Sequence, residues 1–123
     1  MGGRGTFAAG NIVAYVYRTV GKIEGVKVLV GLNGKHGLPE EAHSSRAYIK
    51  LKPDGTFHEM RIYDKEHFLR YEIAYHPEPN IDPSRKPVLH YHKYGRDFKR
   101  SRAKPISSKV KQRFKKYFKG VQV

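Results

Sequence analysis

His90 and His92 stand two residues apart in the run Val88-Leu89-His90-Tyr91-His92, whose Val, Leu and Tyr content suits a strand. Both imidazoles then project from one face, where they are placed to bind a metal ion or to act as an acid/base pair. His76 precedes Pro77 at the end of an adjoining strand, and His43, Glu78 and Asp82 come from loops, so a metal site or a metal-independent phosphodiesterase site can be drawn. The plainer account is composition: a chain with seven histidines holds a His-x-His by chance. No third ligand stands at a diagnostic spacing such as His-Glu-x-x-His. Sequence alone therefore assigns no metal ligands and implies no cofactor.

A second candidate group is the loop at residues 38–46, Leu38-Pro39-Glu40-Glu41-Ala42-His43-Ser44-Ser45-Arg46. It holds an acid, a base in His43 and an anion binder in Arg46, the types a small ribonuclease uses. The simpler alternative is a short helical turn begun by Glu40 or Glu41 after Pro39, with Ser44 and Ser45 satisfying backbone groups. There is no Gly-x-Ser-x-Gly elbow and no Gly-x-x-x-x-Gly-Lys phosphate loop, so the usual hydrolase and nucleotidase motifs are missing.

The elements that must position these residues read as short strands followed by a helix. Residues 11–20 are rich in Val, Ile and Tyr and are expected to end at Gly21; residues 25–30 place Val26, Val28 and Val30 on one face. Residues 31–46, with Gly31, Gly34, Gly37 and Pro39, form a long loop of the kind that often carries function. Three strands at 47–51, 57–63 and 68–76 form a meander. Its first turn is Pro53-Asp54-Gly55-Thr56, where Pro fixes φ and Gly supplies a positive φ; Asp64-Lys65-Glu66-His67 makes the second. In the third strand Leu69, Tyr71, Ile73 and Tyr75 are the expected core face, opposite Phe68, Arg70, Glu72, Ala74 and His76. Residues 77–87 carry four prolines and form an extended loop before a last strand at 88–94.

Charge is concentrated after that strand. Residues 95–123 hold eleven Lys or Arg against one acid, Asp97, and supply +10 of the net +14. Arg96, Lys99, Arg100, Arg102 and Lys104 form an extended strap interrupted by Phe98, which either covers apolar surface or stacks on a base. A helix of about 12 residues follows, capped by Ser107 or Ser108 and stopped by Gly120. Ile106, Val110, Phe114, Tyr117 and Phe118 fall on one stripe and must dock on the sheet or on another subunit. Lys109, Lys111, Arg113, Lys115, Lys116 and Lys119 occupy the rest. These eleven cations are the candidate nucleic-acid-binding residues. A Lys-rich surface works by counterion release and reads little sequence, so salt-sensitive, weakly selective binding to duplex DNA is expected. A basic helix of this kind also suits an anionic membrane, but contact with its own domain explains the apolar stripe more cheaply, and no membrane partner is expected.

With 123 residues the chain has the size of one domain. The absence of Cys excludes disulfides, thiolate metal sites and Cys nucleophiles. No apolar run reaches the roughly 20 residues that span a bilayer, and the Gly-rich start lacks the apolar core of a secretion signal, so a cytosolic site of synthesis is expected. The expected fold is α+β: a small antiparallel β-sheet of five to six strands with a C-terminal basic amphipathic helix. Residues 1–10 form a flexible Gly-rich arm, 11–94 the sheet, and 95–123 the strap and helix of the same domain.

Met1-Gly2-Gly3-Arg4-Gly5, the 38–46 loop, Asp54-Gly55-Thr56-Phe57, Ala74-Tyr75-His76-Pro77 and His90-Tyr91-His92 together resemble small minor head proteins of tailed phages infecting Gram-positive bacteria, staphylococcal phages especially. The resemblance runs along nearly the whole chain. It implies an ejection protein packaged in few copies inside the capsid of the virion and delivered with the genome, present in the host cytoplasm during assembly and after ejection. Its implied partners are the phage genome as double-stranded DNA, further copies of itself as a homo-oligomer, and portal or other head proteins. It carries no catalytic residues over onto His43, His90 or His92. The alternative reading is a small toxin-like ribonuclease or DNase, metal-dependent or not, that uses the loop and strand histidines.

Overall fold

The structure is a computed structural model that describes residues 17–31, 38–39 and 46–121. Seven strands form one sheet in chain order: β1 (Tyr17–Ile23), β2 (Val26–Gly31), β3 (Ala47–Leu51), β4 (Phe57–Tyr63), β5 (Leu69–Pro77), β6 (Pro87–Lys93) and β7 (Lys104–Pro105). A short helix α1 (Ser108–Phe114) and a 3-10 turn (Lys115–Tyr117) follow. The architecture is broadly α+β, but the sheet is mixed and has seven strands, where an antiparallel sheet of five to six was expected. β2 and β3 pair in parallel and every other neighbouring pair is antiparallel. The long connection between β2 and β3 permits this, because a parallel pair needs a crossover of about a dozen residues or more.

The strand limits follow local chemistry. β1 runs through Gly21, which the sequence reading had ending it: Gly21 pairs with Val28, and the register shift between Thr19 and Gly21 leaves Val20 as the extra residue. The turn falls instead at Glu24 and Gly25, both at positive φ (49° and 84°), as a two-residue hairpin requires. In the β3–β4 turn Gly55 has φ 88° and its N–H donates to the Lys52 carbonyl (2.8 Å), while Asp54 accepts from the Thr56 N–H and hydroxyl. Asp64 closes the β4–β5 turn by accepting from the N–H groups of Glu66 and Phe68.

Both faces of the sheet are covered. On one face Val28, Ile49, Phe57, Met60, Ile73 and Leu89 pack with Ile106 and Phe118 from the C-terminal segment. On the other, Leu29, Tyr48, Tyr63, Leu69 and Tyr94 pack with Leu38 and Phe98. Leu69 was expected beside Ile73, yet it lies in the opposite cluster. A register shift between Ile62 and Tyr63 inserts Arg70 as an extra residue and turns Leu69 over. Tyr71, also expected in the core, is 43% exposed, while Glu72 and Ala74 on the supposedly polar face are buried.

The C-terminal segment belongs to this sheet. Gly95 to Phe98 turn the chain, Tyr94 bridges to Arg100, and the Ser101 N–H donates to the Lys93 carbonyl (2.8 Å), so the strap folds back along β6 and ends as edge strand β7. The extended strap of the sequence reading is thus a turn followed by a strand edge. α1 is seven residues long, shorter than expected; Ser107 caps it by accepting from the Val110 N–H (3.3 Å). Phe118 meets the Phe57 ring at 4.9 Å and the Phe57 N–H donates to the Lys119 carbonyl (2.8 Å). Burying Phe118 contributes roughly 2 kcal/mol, which holds a segment too short to be helical alone. Gly120 ends it at φ 78°, where a Cβ would collide with the Thr56 side chain.

Candidate histidine site beside a basic strand edge

Antiparallel register builds the site from three strands. Arg61 of β4, Glu72 of β5 and His92 of β6 form one cross-strand row, and Glu59, Ala74 and His90 form the next. All point to the face that holds Leu38. Glu59, Glu72, His90 and His92 are buried there, an unusual load of ionisable groups for a chain of this size.

The carboxylates are organised by one arginine. Arg61 Nε donates to Glu72 Oε2 (2.8 Å) and Nη1 to the Leu38 carbonyl (2.6 Å). Burial works against the guanidinium charge, but Glu72 more than offsets it and the Arg61 pKa rises above its ordinary value. Glu59 accepts from the Leu38 N–H (3.4 Å), and the Tyr63 hydroxyl donates to the Pro39 carbonyl, so Leu38 and Pro39 are clamped over β4 from both sides. Burial, and then the neighbouring Glu72, push the Glu59 carboxyl up. This half of the cluster is self-contained and holds the 38–39 segment in place.

The histidines are arranged differently. His58, His76, His90 and His92 form a chain of edge-on rings, with centroids 5.8, 4.6 and 5.5 Å apart in that order. His90 Nδ1 lies 2.8 Å from the Val88 carbonyl oxygen and His92 Nδ1 lies 2.9 Å from that of Ser101. A carbonyl only accepts, so both Nδ1 atoms carry the proton, and the neutral rings present their lone pairs at Nε2. Nε2 of fully buried His90 has no hydrogen-bond partner among the described residues. Burial is the main cause that holds the His90 pKa low, so its ring is neutral at physiological pH. Glu78, just past β5, completes the group: its carboxylate and one nitrogen of each of His90 and His92 lie within 4.8 Å of one another.

The site opens at the strand edge. Glu78, Asn80 and His92 line a pocket of about 380 Å³ together with Arg100, Ser101, Arg102, Ala103 and Lys104. Arg100, Arg102 and Lys104 of the polycation therefore meet His92, although His92 and Arg100 stand eight positions apart in the chain. Arg96 takes no part in this. It is ion-paired with Asp64 (3.3 Å) and Glu66 (2.5 Å) and lies over the Phe68 ring. Lys99 is exposed in the turn, and Phe98 is buried against Phe68, so it covers apolar surface and is not offered to a base. Lys109, Arg113, Lys115, Lys116 and Lys119 are exposed and Lys111 half-buried on the segment that packs over the other face. Arg46 stands at the far end of β4, its Nε donating to the Tyr63 carbonyl (3.3 Å), and does not join the histidines. His43 lies outside the described residues.

Sequence reasoning paired His90 with His92 but did not single out Glu78 above the other loop acids. Nothing in spacing marks it; only the pairing of Pro77 with Pro87 brings the start of the loop back to the His90 strand. Arg61, Glu59 and Glu72 were missed because each sits singly in an alternating strand. No protein-family model, curated protein or solved structure matches this chain.

Proposed function

We propose that this chain binds double-stranded DNA through the phosphate backbone, without strong sequence specificity, as a phage virion protein that accompanies or protects the genome during delivery. The observation that carries the binding is the row Arg100, Arg102 and Lys104 along one pocket rim, none of them in an ion pair among the described residues. The exposed lysines of the amphipathic C-terminal segment, which follows β7 and packs over one face of the sheet, add to the positive surface. Cations without acidic partners release counterions when phosphates replace solvent, which is the driving force of non-specific binding. The assignment to a virion rests on the sequence resemblance, and a homo-oligomer would add avidity on one DNA. Fluorescence anisotropy with a random duplex at rising salt tests the reading: affinity should fall linearly on a log-log plot. Affinity independent of salt, or unchanged in the Arg102→Ala, Lys104→Ala double variant, overturns it.

A second reading is favoured by one observation, the convergence of His90, His92 and Glu78, of which Glu78 and His92 line the same pocket as those cations. It is hydrolysis of a phosphodiester: water adds its oxygen to phosphorus, one ester P–O bond breaks, and the water proton passes to the departing oxygen. Intact DNA and RNA after incubation with the protein, with and without divalent metal, exclude this reading and leave the first standing.

A further inference from the structure

We infer that His90 Nε2, His92 Nε2 and the Glu78 carboxylate form a binding site for one divalent first-row transition metal ion of the zinc class. Three independent features point there. One nitrogen of each histidine and the Glu78 carboxylate already lie within 4.8 Å of one another, and His90 Nε2 is fully buried without a partner among the described residues, a cost that a bound ion removes. Both imidazoles are oriented from behind, Nδ1–H to a main-chain carbonyl, which is how metal-bound histidines are held. The donor set is two imidazoles and one carboxylate, which suits Zn²⁺ or Co²⁺ and not Mg²⁺ or Ca²⁺, whose ligands are oxygens.

Ligand atoms around a tetrahedral zinc-sized ion stand roughly 3.3 Å apart, so binding draws this set inward. His90 and His92 are fixed in β6. Glu78 is half-buried at the start of the loop after β5, with Oε2 accepting from the Asn80 N–H at 3.4 Å, and supplies the movement. Three protein ligands leave a fourth position, which faces the pocket lined by Arg100, Arg102 and Lys104. Those cations disfavour a bare ion and favour one that carries an anion, so the ligand class for the fourth position is a phosphate or phosphate ester. The site rests on these side chains alone and stands or falls separately from DNA binding.

The test uses the full chain stripped with a chelator and titrated with Co²⁺, followed by ligand-field absorption, competition with Zn²⁺, and thermal melting. One Co²⁺ per chain is expected, displaced by Zn²⁺ and not by Mg²⁺, with a melting temperature that rises on metal addition. Glu78→Gln leaves the buried strand untouched and should weaken Co²⁺ binding at least about tenfold, as should His92→Gln; Lys99→Ala, exposed in the turn and away from the ligand set, should leave it within about twofold. Absence of Co²⁺ binding by the folded protein, or binding unchanged in both Glu78→Gln and His92→Gln, overturns the inference.

Discussion

His92 Nδ1 stands 2.9 Å from the main-chain carbonyl oxygen of Ser101, so the strand that carries the histidines is hydrogen-bonded to the segment that carries the cations. Ser101 secures that contact from its own side chain, whose hydroxyl accepts from the Lys93 N–H (2.8 Å) and donates to the Arg102 carbonyl (3.1 Å). Ser101→Ala should cost about 1 kcal/mol of stability. It should also weaken DNA binding and alter the chemical shifts of the His92 ring. A variant that loses stability while both DNA affinity and the ring shifts stay unchanged would show that strap and histidine are not coupled.

The cations divide by partner. Arg102 and Lys104 are exposed and unpaired among the described residues, and each should contribute about 0.9 to the slope of log K against log salt, so their joint replacement by Ala lowers the slope by about 1.8. Arg96 is already neutralised by Asp64 and Glu66. Arg96→Ala should leave the slope unchanged within error and cost no more than about 1 kcal/mol of stability, being a half-exposed pair. A slope change of about 0.9 in Arg96→Ala, the same per residue as in the double variant, would mean that Arg96 contacts phosphate as well.

Arg61 and Glu72 are a buried pair whose arginine also holds Leu38. Arg61→Met leaves the Glu72 carboxylate buried without its partner and should destabilise by about 3–5 kcal/mol in urea denaturation. Adding Glu72→Leu removes the stranded charge and should recover most of that loss. Strict additivity of the two substitutions would refute a direct coupling.

The turns and strand limits of the meander were legible because they are local: Asp54-Gly55 and the Asp64 cap decide their own backbone geometry, and residues 47–51 and 57–63 are strands as read. Face assignment was legible only until a bulge intervened. Arg70, one extra residue, moved Leu69 to the other side, and no periodic pattern announces such an insertion. The parallel pairing of β2 with β3 depends on where a long loop carries the chain, which composition does not encode. The polycation was plain in the sequence, but its division was not, since Asp64 and Glu66 reach Arg96 across about thirty positions. The same applies to a truncation test of the tail: β7, Phe98, Ile106 and Phe118 are built into the sheet and its two cores, so a chain ending near Tyr94 should fail to fold, and point variants must replace it.

The buried ionisable groups make stability respond to pH in two opposed ways. Burial, joined by His76 and His92, holds the folded His90 pKa below 6.5 against the Val88 hydrogen bond and Glu78. The unfolded chain therefore takes up the proton first on acidification. The His90 contribution is complete above about pH 6.5 and is lost as pH falls through that value toward the folded pKa, with His58 acting in the same sense. Glu59 runs the other way. Its folded pKa is raised above 4.5, first by burial and then by Glu72, so the folded state binds a proton that the unfolded state does not, and acidification toward that pKa adds stability. At neutral pH Glu59→Gln should accordingly stabilise by roughly 1 kcal/mol, near 4 °C in melting temperature for a domain of this size. It keeps an oxygen for the Leu38 N–H while it removes the charge. His90→Asn should lower overall stability by about 1–3 kcal/mol and flatten the acid-side decline. Urea midpoints from pH 8 to pH 5 separate the two: a wild-type decline that persists undiminished in His90→Asn assigns it to other groups, and a Glu59→Gln variant less stable than wild type at pH 7 reverses the sign argued for that carboxyl.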